Sequence, residues 1–419
     1  MRFNKTTQLE YFIDYERYKF RLEIALLAKE KNCMTSEKPQ DGIHAMVPRE
    51  KMVESARKLR DTYAITPGIP LFKREFGFFS LERWKAEGKL TDESWKIFDY
   101  DPAGNYGLGQ LGWCEAAFVP AFETIILKDL GDHELVQDYA GRHVLYFKGR
   151  RSGFMPEYVD HPVKDMKTWV ENVKWRLDPT NPQRYADLEE RMKVAKDHAG
   201  KGYMISQGLI GGYMYLRSLI GPGDLPYAFY DMPDVIHDCM KTWFELADAV
   251  IAKHQQYVTL DEIFFAEDIC YNHGILISPD MMKEFLTPYY KQLINNVKAR
   301  QIDKDRHLYV HIDTDGYAVP AIPVYMEEIG MDVMSPFEVA SNCDVVEIGK
   351  QYPNLAMFGG IDKRVLAKGK KAIDEFLEYV IPPMKARGGY IPTCDHGVPE
   401  EVEYEDYVYY RKRCVELGS

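Results

Sequence analysis

The 419-residue chain lacks most of what marks an exported, membrane or nucleic-acid-binding protein. No stretch approaches the roughly 20 apolar residues a spanning helix needs. The start, Met1-Arg-Phe-Asn-Lys-Thr-Thr-Gln, has no apolar core for a signal peptide. No CxxC pair occurs, and the seven cysteines are scattered and odd in number, which argues for a reduced, cytoplasmic chain and against a disulfide scaffold. Positive charge is not in excess. Lys plus Arg is 53 and Asp plus Glu is 65, a net charge of −12, which argues against a general phosphate-backbone or anionic-membrane binder. Internal repeats and low-complexity tracts are absent. A nucleotide fingerprint is missing too. Gly104, Gly107, Gly109 and Gly112 follow no clear strand and precede no Gly-Lys-Ser/Thr, so they read as a loop.

What is present is ordinary for a folded protein: 46% apolar and 28% charged residues. Aromatic residues reach 13%, with 29 tyrosines, suited either to packing or to a pocket for a flat ligand. The length fits two or three domains, or one barrel with a large extension. Residues 1–110 read as a helical N-terminal extension, with helix-like spacing over Glu16–Lys31 and 50–62. Residues 111–419 read as the barrel domain.

From about Tyr203 short apolar runs alternate with helical stretches. The runs are Tyr203–Gln207, Glu262–Glu267, His307–Asp313, Met331–Ser335, Leu355–Phe358 and Tyr390–Thr393. Helix-like segments at 233–257, 279–300, 318–329, 343–351, 371–386 and 400–415 separate or follow them. This alternation predicts parallel strands with crossover helices, an α/β (β/α)8 TIM barrel. The remaining strands are expected from 113–200, with Arg142–Phe147 as one candidate. A doubly wound sheet is the alternative, without its usual glycine-rich first turn. Ser278 and Pro279 read as the N-cap and first residue of a helix.

In a parallel barrel the chemistry sits at the C-terminal strand ends. Four of these tips carry dense ionisable groups: Glu267-Asp268; His311-Ile-Asp313-Thr-Asp315-Gly316; Gly359-Gly-Ile-Asp362-Lys363-Arg364; and Cys394-Asp395-His396-Gly397. His311, Asp313 and Asp315 share one strand face, and Cys394 and His396 have the same spacing. Converging His, Asp and Cys form a divalent-metal ligand set, zinc first among them. The alternative is that Asp313 or Asp315 caps the helix beginning near Val319 and that His396 is a hydrogen-bonded core histidine. Glu267 and Asp268 point to opposite faces. The inward one is a candidate general acid/base or metal ligand; the other pairs or caps. Lys363 and Arg364 can receive a carboxylate or phosphate, or begin the next helix as a solvated pair.

Glu267-Asp268-Ile-Cys-Tyr-Asn-His-Gly-Ile-Leu-Ile-Ser-Pro279, Phe285-Leu-Thr-Pro-Tyr-Tyr-Lys291, Asp315-Gly316, Gly359-Gly-Ile-Asp362 and Gly388-Gly-Tyr…His396-Gly-Val-Pro399 resemble the uroporphyrinogen decarboxylase superfamily over about residues 202–410. The superfamily implies one of two chemistries. Uroporphyrinogen decarboxylases use no cofactor and bind their tetrapyrrole through an Asp and an N-terminal Arg-rich segment; that segment has no counterpart here. Cobamide-dependent methyltransferases bind zinc through His-x-Cys-Gly and a later Cys. Matched by the Gly, that motif is Asp313-Thr-Asp315-Gly316; matched by the His, it is His311-Ile-Asp313. The later Cys falls at or beside Cys394/His396. The chain is more similar to this second branch, with a site richer in oxygen and nitrogen than in sulfur.

The resemblance therefore implies a metal-dependent methyltransferase. It would move a methyl group between a small, methoxylated aromatic substrate and a corrinoid carried by a partner protein. His311, Asp313, Asp315, Cys394 and His396 would be zinc ligands, Glu267 and Asp268 catalytic carboxylates, and Asp362, Lys363 and Arg364 substrate-orienting. A homodimer is also implied. The alternatives are a cofactor-free decarboxylase or lyase on the same barrel, and a non-enzymatic binding protein. The ionisable tips speak against the latter.

Overall fold

The computed structural model describes residues 48–150 and 156–419; the helix expected over Glu16–Lys31 lies outside the described residues. Seven strands form one curled parallel sheet: β1 (Asn105–Leu108), β6 (Met204–Ile210), β7 (Glu262–Ala266), β8 (Tyr309–Asp313), β9 (Val333–Phe337), β10 (Ala356–Ile361) and β11 (Tyr390–Cys394), neighbours in that order. An extended segment, 71–79, runs between the two sheet edges. Its Gly77 O and Phe79 N bond Val398 on the β11 side, and Lys73 O accepts from Asp101 N just before β1. This completes the TIM-barrel wall.

The expected source of the early wall strands is corrected. They come from 71–79 and from β1 within the glycine-rich stretch, not from 113–200. Arg142–Phe147 contributes instead to a separate antiparallel sheet, β2 (Ile125–Asp129), β3 (His133–Gln137), β4 (His143–Phe147) and β5 (Glu157–Asp160), inserted between β1 and β6.

The main helices are α1 (Glu54–Tyr63), α2 (Leu188–Gly200), α3 (Gly212–Ile220), α4 (Pro233–His254), α5 (Thr287–Arg300), α6 (Ile322–Ile329), α7 (Val345–Gln351), α8 (Lys370–Arg387) and α9 (Tyr404–Gly418). From β6 onward, helices return the chain to each next parallel strand. The short helix that precedes α5 opens as expected: Ser278 Oγ accepts from Met281 N and Pro279 takes the first position. Gly330, in left-handed backbone at φ +66°, ends α6 and turns the chain into β9.

Strands β9, β10 and β11 are buried at every residue, because the helices cover one face and the barrel interior the other. Outward Phe265 packs on Tyr290 of α5, with ring centres 5.0 Å apart. At about 1.5–3 kcal/mol per buried large apolar side chain, this outer layer is a principal source of stability. α1 supplies the barrel floor. Ala56, Leu59 and Tyr63 pack with Met204, Tyr309, Val333, Ala356, Phe358 and Ile391 in one buried cluster. Among the described residues no helix is long and apolar enough to cross a membrane.

Candidate active site

Strand parity decides which polar groups enter the barrel. In β7 the odd residues Ile263 and Phe265 face the helices, and Glu267 continues on that side. It is fully buried, accepting from Tyr290 OH at 2.5 Å and Tyr325 OH at 3.0 Å. Burial pushes its carboxyl up to about 7 against the pull of these bonds. Gly211 is required beside it, since a Cβ there would run into the Glu267 carboxylate. Of the two expected catalytic carboxylates, Glu267 thus lies in the helix layer, where it pins α3, α5 and α6 to the sheet. Asp268 turns to the mouth and pairs with Arg217 of α3 at 2.5 Å.

The metal candidates separate in the same way. His311 points inward from β8, but both its ring nitrogens are engaged: Nδ1 lies 2.8 Å from Glu262 Oε1 and Nε2 lies 2.9 Å from Ser335 Oγ. Cys394 is fully buried, on the parity of outward Tyr390. Glu75, Cys414 of α9 and Arg411 act on its thiol, and burial raises its pKa far out of the thiolate range. Asp395, the residue just after β11, reaches the mouth side. It accepts from the backbone N–H of Val339 and Lys363. Asp313, Asp315 and His396 do come to the mouth. His396 Nε2 stands 3.7 Å from Asp315 Oδ2, between the rings of Phe76 and Phe79. The five zinc ligands expected from sequence do not come together here: both ring nitrogens of His311 are engaged and the Cys394 thiol faces another layer. Among the described residues no three His, Cys, Asp or Glu side chains converge as metal ligands.

Of the substrate-orienting candidates, only Lys363 faces the cluster. Its Nζ lies 3.3 Å from Glu338 Oε1 and 3.9 Å from Asp395 Oδ1. Asp362 caps the turn that follows β10 through Arg364 N, and the exposed Arg364 guanidinium folds back on it with two bonds of 2.8 Å. The glycine pair at this tip serves packing: a Cβ at Gly360 would run into Val345 of α7.

The mouth is therefore an acidic ring, Asp268, Asp313, Asp315, Glu338 and Asp395, with Arg217, Lys363 and His396 set among the carboxylates. Burial raises Asp313 to about 6, opposed by the Ser335 hydroxyl. Burial, then the charges of Asp268, Glu338 and Asp313, raise Asp315 to about 7. Asp395 is raised to about 6 by burial against the pull of Lys363. Burial, then Lys363, lower His396. These acids can hold a proton near neutrality, which suits acid/base work. Trp113, 54% exposed, stacks on the inward Phe264 with ring centres 5.2 Å apart and leaves a flat aromatic face open to solvent.

Sequence reasoning missed Glu338, Arg217, Glu262 and Ser335. Glu262 and Ser335 sit on expected strands at inward parity, so parity was the available signal. Arg217 and Glu338 lie beyond the strand ends and carried none.

A parallel barrel with an ionisable C-terminal mouth defines a TIM-barrel protein of the kind that carries its chemistry on strand tips. The family model of uroporphyrinogen decarboxylase (URO-D) matches residues 158–412, and the chain belongs to that family. A search of curated proteins finds no match. Among solved structures, a methyltransferase from Methanosarcina mazei is similar at 14% identity and TM-score 0.54, covering 86% of this chain and 98% of its own. A Listeria monocytogenes protein, described as a vitamin-B12 independent methionine synthase, is similar at 12% identity and TM-score 0.35, covering 83% and 98%.

Proposed function

We propose that the chain is a methyltransferase-like enzyme. It moves a methyl group between a small, methoxylated aromatic substrate held in the barrel mouth and a corrinoid carried by a partner protein. The observation that carries the reading is the β8 tip. Where the methyltransferase branch has thiolate and imidazole, this chain presents two carboxyl groups, Asp313 and Asp315, poised near neutrality. A soft nucleophile has nothing to bind there, whereas an ether oxygen has a proton donor. The Trp113–Phe264 stack offers the aromatic ring a face, and Lys363 offers its polar substituent a charge. A corrinoid supplies the nucleophile that takes up the methyl group. Asp313 and Asp315 stabilise the oxygen left behind.

The test mixes the protein with cob(I)alamin and either methoxyarenes or methylamines and follows methylcobalamin by absorbance. The expected result is methyl transfer from methoxyarenes, abolished in Asp313→Asn. Release of carbon dioxide from aryl carboxylates, with no methylcobalamin, would instead establish the decarboxylase alternative.

A further inference from the structure

The inserted sheet has one edge built unlike the other. β2 has a neighbour on one side only, β3, and every residue of β2 is exposed. It begins with Ile125, Ile126 and Leu127, which are 41%, 53% and 44% exposed, and Leu130 just beyond it is exposed as well. Consecutive apolar side chains beside a row of open backbone groups form a template for another strand. β5, the opposite edge, carries Glu157 and Asp160, charges of the kind that discourage such pairing. β2 carries none before Lys128.

The charges along this edge are self-complementary. Ile125 pairs with Gln137 and Lys128 with Leu135, so Leu127 is the extra residue of a bulge, and Ile125 and Lys128 share a face. Glu123, two residues before Ile125, lies on that face too, because the chain already follows β3 there: Phe122 N donates to Tyr139 O and Gln137 Nε2 to Glu123 O, both at 2.9 Å. Among the described residues neither Glu123 nor Lys128 has an ion-pair partner, whereas Asp129 is held by Lys148 at 2.5 Å. A second copy laid antiparallel along β2 and centred on Ile125 places Ile125 against its own counterpart and Thr124 against Ile126. Glu123 then meets the bulge, where Lys128 stands, and twofold symmetry makes that contact twice. Centred on Ile126 instead, each Lys128 would face Ile125 and each Glu123 would face Leu130, so charge selects the first register.

We infer that β2 is a self-association edge: a second copy of this chain pairs with it, and the two inserted sheets join into one continuous sheet across the twofold axis. A contact confined to 123–130 is smaller than the roughly 800 Å² per partner of a standard interface, so the pair is reversible and forms as concentration rises. The apolar edge and the added backbone bonds drive the pairing. The Glu123–Lys128 pairs are exposed, and they set register more than strength. Association through this edge uses nothing of the chemistry at the mouth, so it stands or falls apart from methyl transfer.

Sedimentation equilibrium of the full chain across a micromolar concentration range tests the pairing. The native protein is expected to show a monomer–dimer equilibrium. Ile126→Lys, at an exposed position, is expected to stay monomeric with an unchanged thermal midpoint. Glu123→Lys or Lys128→Glu alone sets like charges together twice, and each is expected to raise the dimer's Kd about tenfold or more. Both substitutions in one chain are expected to restore the native Kd, as is an equimolar mixture of the two single variants, which then associate with each other. Ile125→Cys is expected to give a disulfide-linked dimer on mild oxidation where the native protein gives none. A native chain that is monomeric at every concentration, its edge left to a different partner, overturns the proposal. So does a dimer whose Kd none of the substitutions moves, or a double variant as weak as the single ones.

Discussion

Arg217 Nη2 donates to Asp268 Oδ2 at 2.5 Å, which fastens α3 to the tip of β7. Asp268 reaches that position in left-handed backbone, at φ +46°. Such a conformation costs a residue with a Cβ about 1 kcal/mol or more, and glycine almost nothing. Asp268→Ala and Asp268→Gly both lose the ion pair, yet the glycine variant is expected to be the more stable of the two by about 1 kcal/mol. Urea unfolding of both variants measures the difference; equal midpoints would mean that the turn carries no strain.

Glu267 links stability to pH. Its carboxyl sits at about 7 in the folded protein against an ordinary value near 4.5, because burial penalises its charge. A carboxyl that binds its proton more tightly when folded contributes fully below its unfolded pKa. The contribution is lost as pH rises through the folded one. Between pH 5 and pH 8 the native protein is expected to lose about 2 kcal/mol relative to Glu267→Gln. Asp313, Asp315 and Asp395 shift in the same direction but are common to both proteins, so they cancel in the comparison. Urea titrations at the two pH values give the result; parallel behaviour would show that Glu267 stays ionised in the folded state.

Lys363 and Glu338 act on Asp315 with opposite signs. Lys363→Met is expected to raise the Asp315 midpoint above 7, and Glu338→Gln to lower it. Carbon-13 spectra of aspartate-labelled protein, assigned with Asp315→Asn, report both. Shifts of the same sign in the two variants would disprove the arrangement.

The neighbouring basic residues differ in reach. Arg364 is spent on Asp362, so Arg364→Ala is expected to change kcat/KM less than about twofold, while Lys363→Ala lowers it by about tenfold or more. Steady-state kinetics with a methoxyarene separates them.

Cys394 tests the expected zinc set. Buried on the helix side of β11, it is expected to cost about 1 kcal/mol of stability as Cys394→Ala, with the metal content of the purified protein unchanged by elemental analysis. Loss of stoichiometric metal in that variant would restore it as a ligand.

Much of the wall was legible in the sequence. From Tyr203 onward each strand is an apolar run covered on both faces, and helical stretches separate these runs. The first two wall positions were not. β1 is Asn-Tyr-Gly-Leu, too short and too rich in glycine to stand out, and 71–79 makes a single isolated bridge, Phe78 to Val398. The alternation of Arg142–Phe147 is real, but it belongs to the inserted sheet. At the site, the strand tips were legible as places and not as orientations. A one-residue change of parity moves a side chain from the mouth to the helix layer, which is why Asp395, not Cys394, faces the acids. Which face Glu267 takes, likewise, depends on ladders with strands more than forty residues away.

The floor helix has a consequence for the order of synthesis. α1 leaves the ribosome early, yet Arg60 bonds Asp261 and Tyr63 bonds Glu262, 201 and 199 residues later. The same apolar face waits for Phe358 and Ile391. α1 can therefore be seated only when nearly the whole chain has emerged. Until then its apolar stripe is open to chaperones, or to a neighbouring nascent chain.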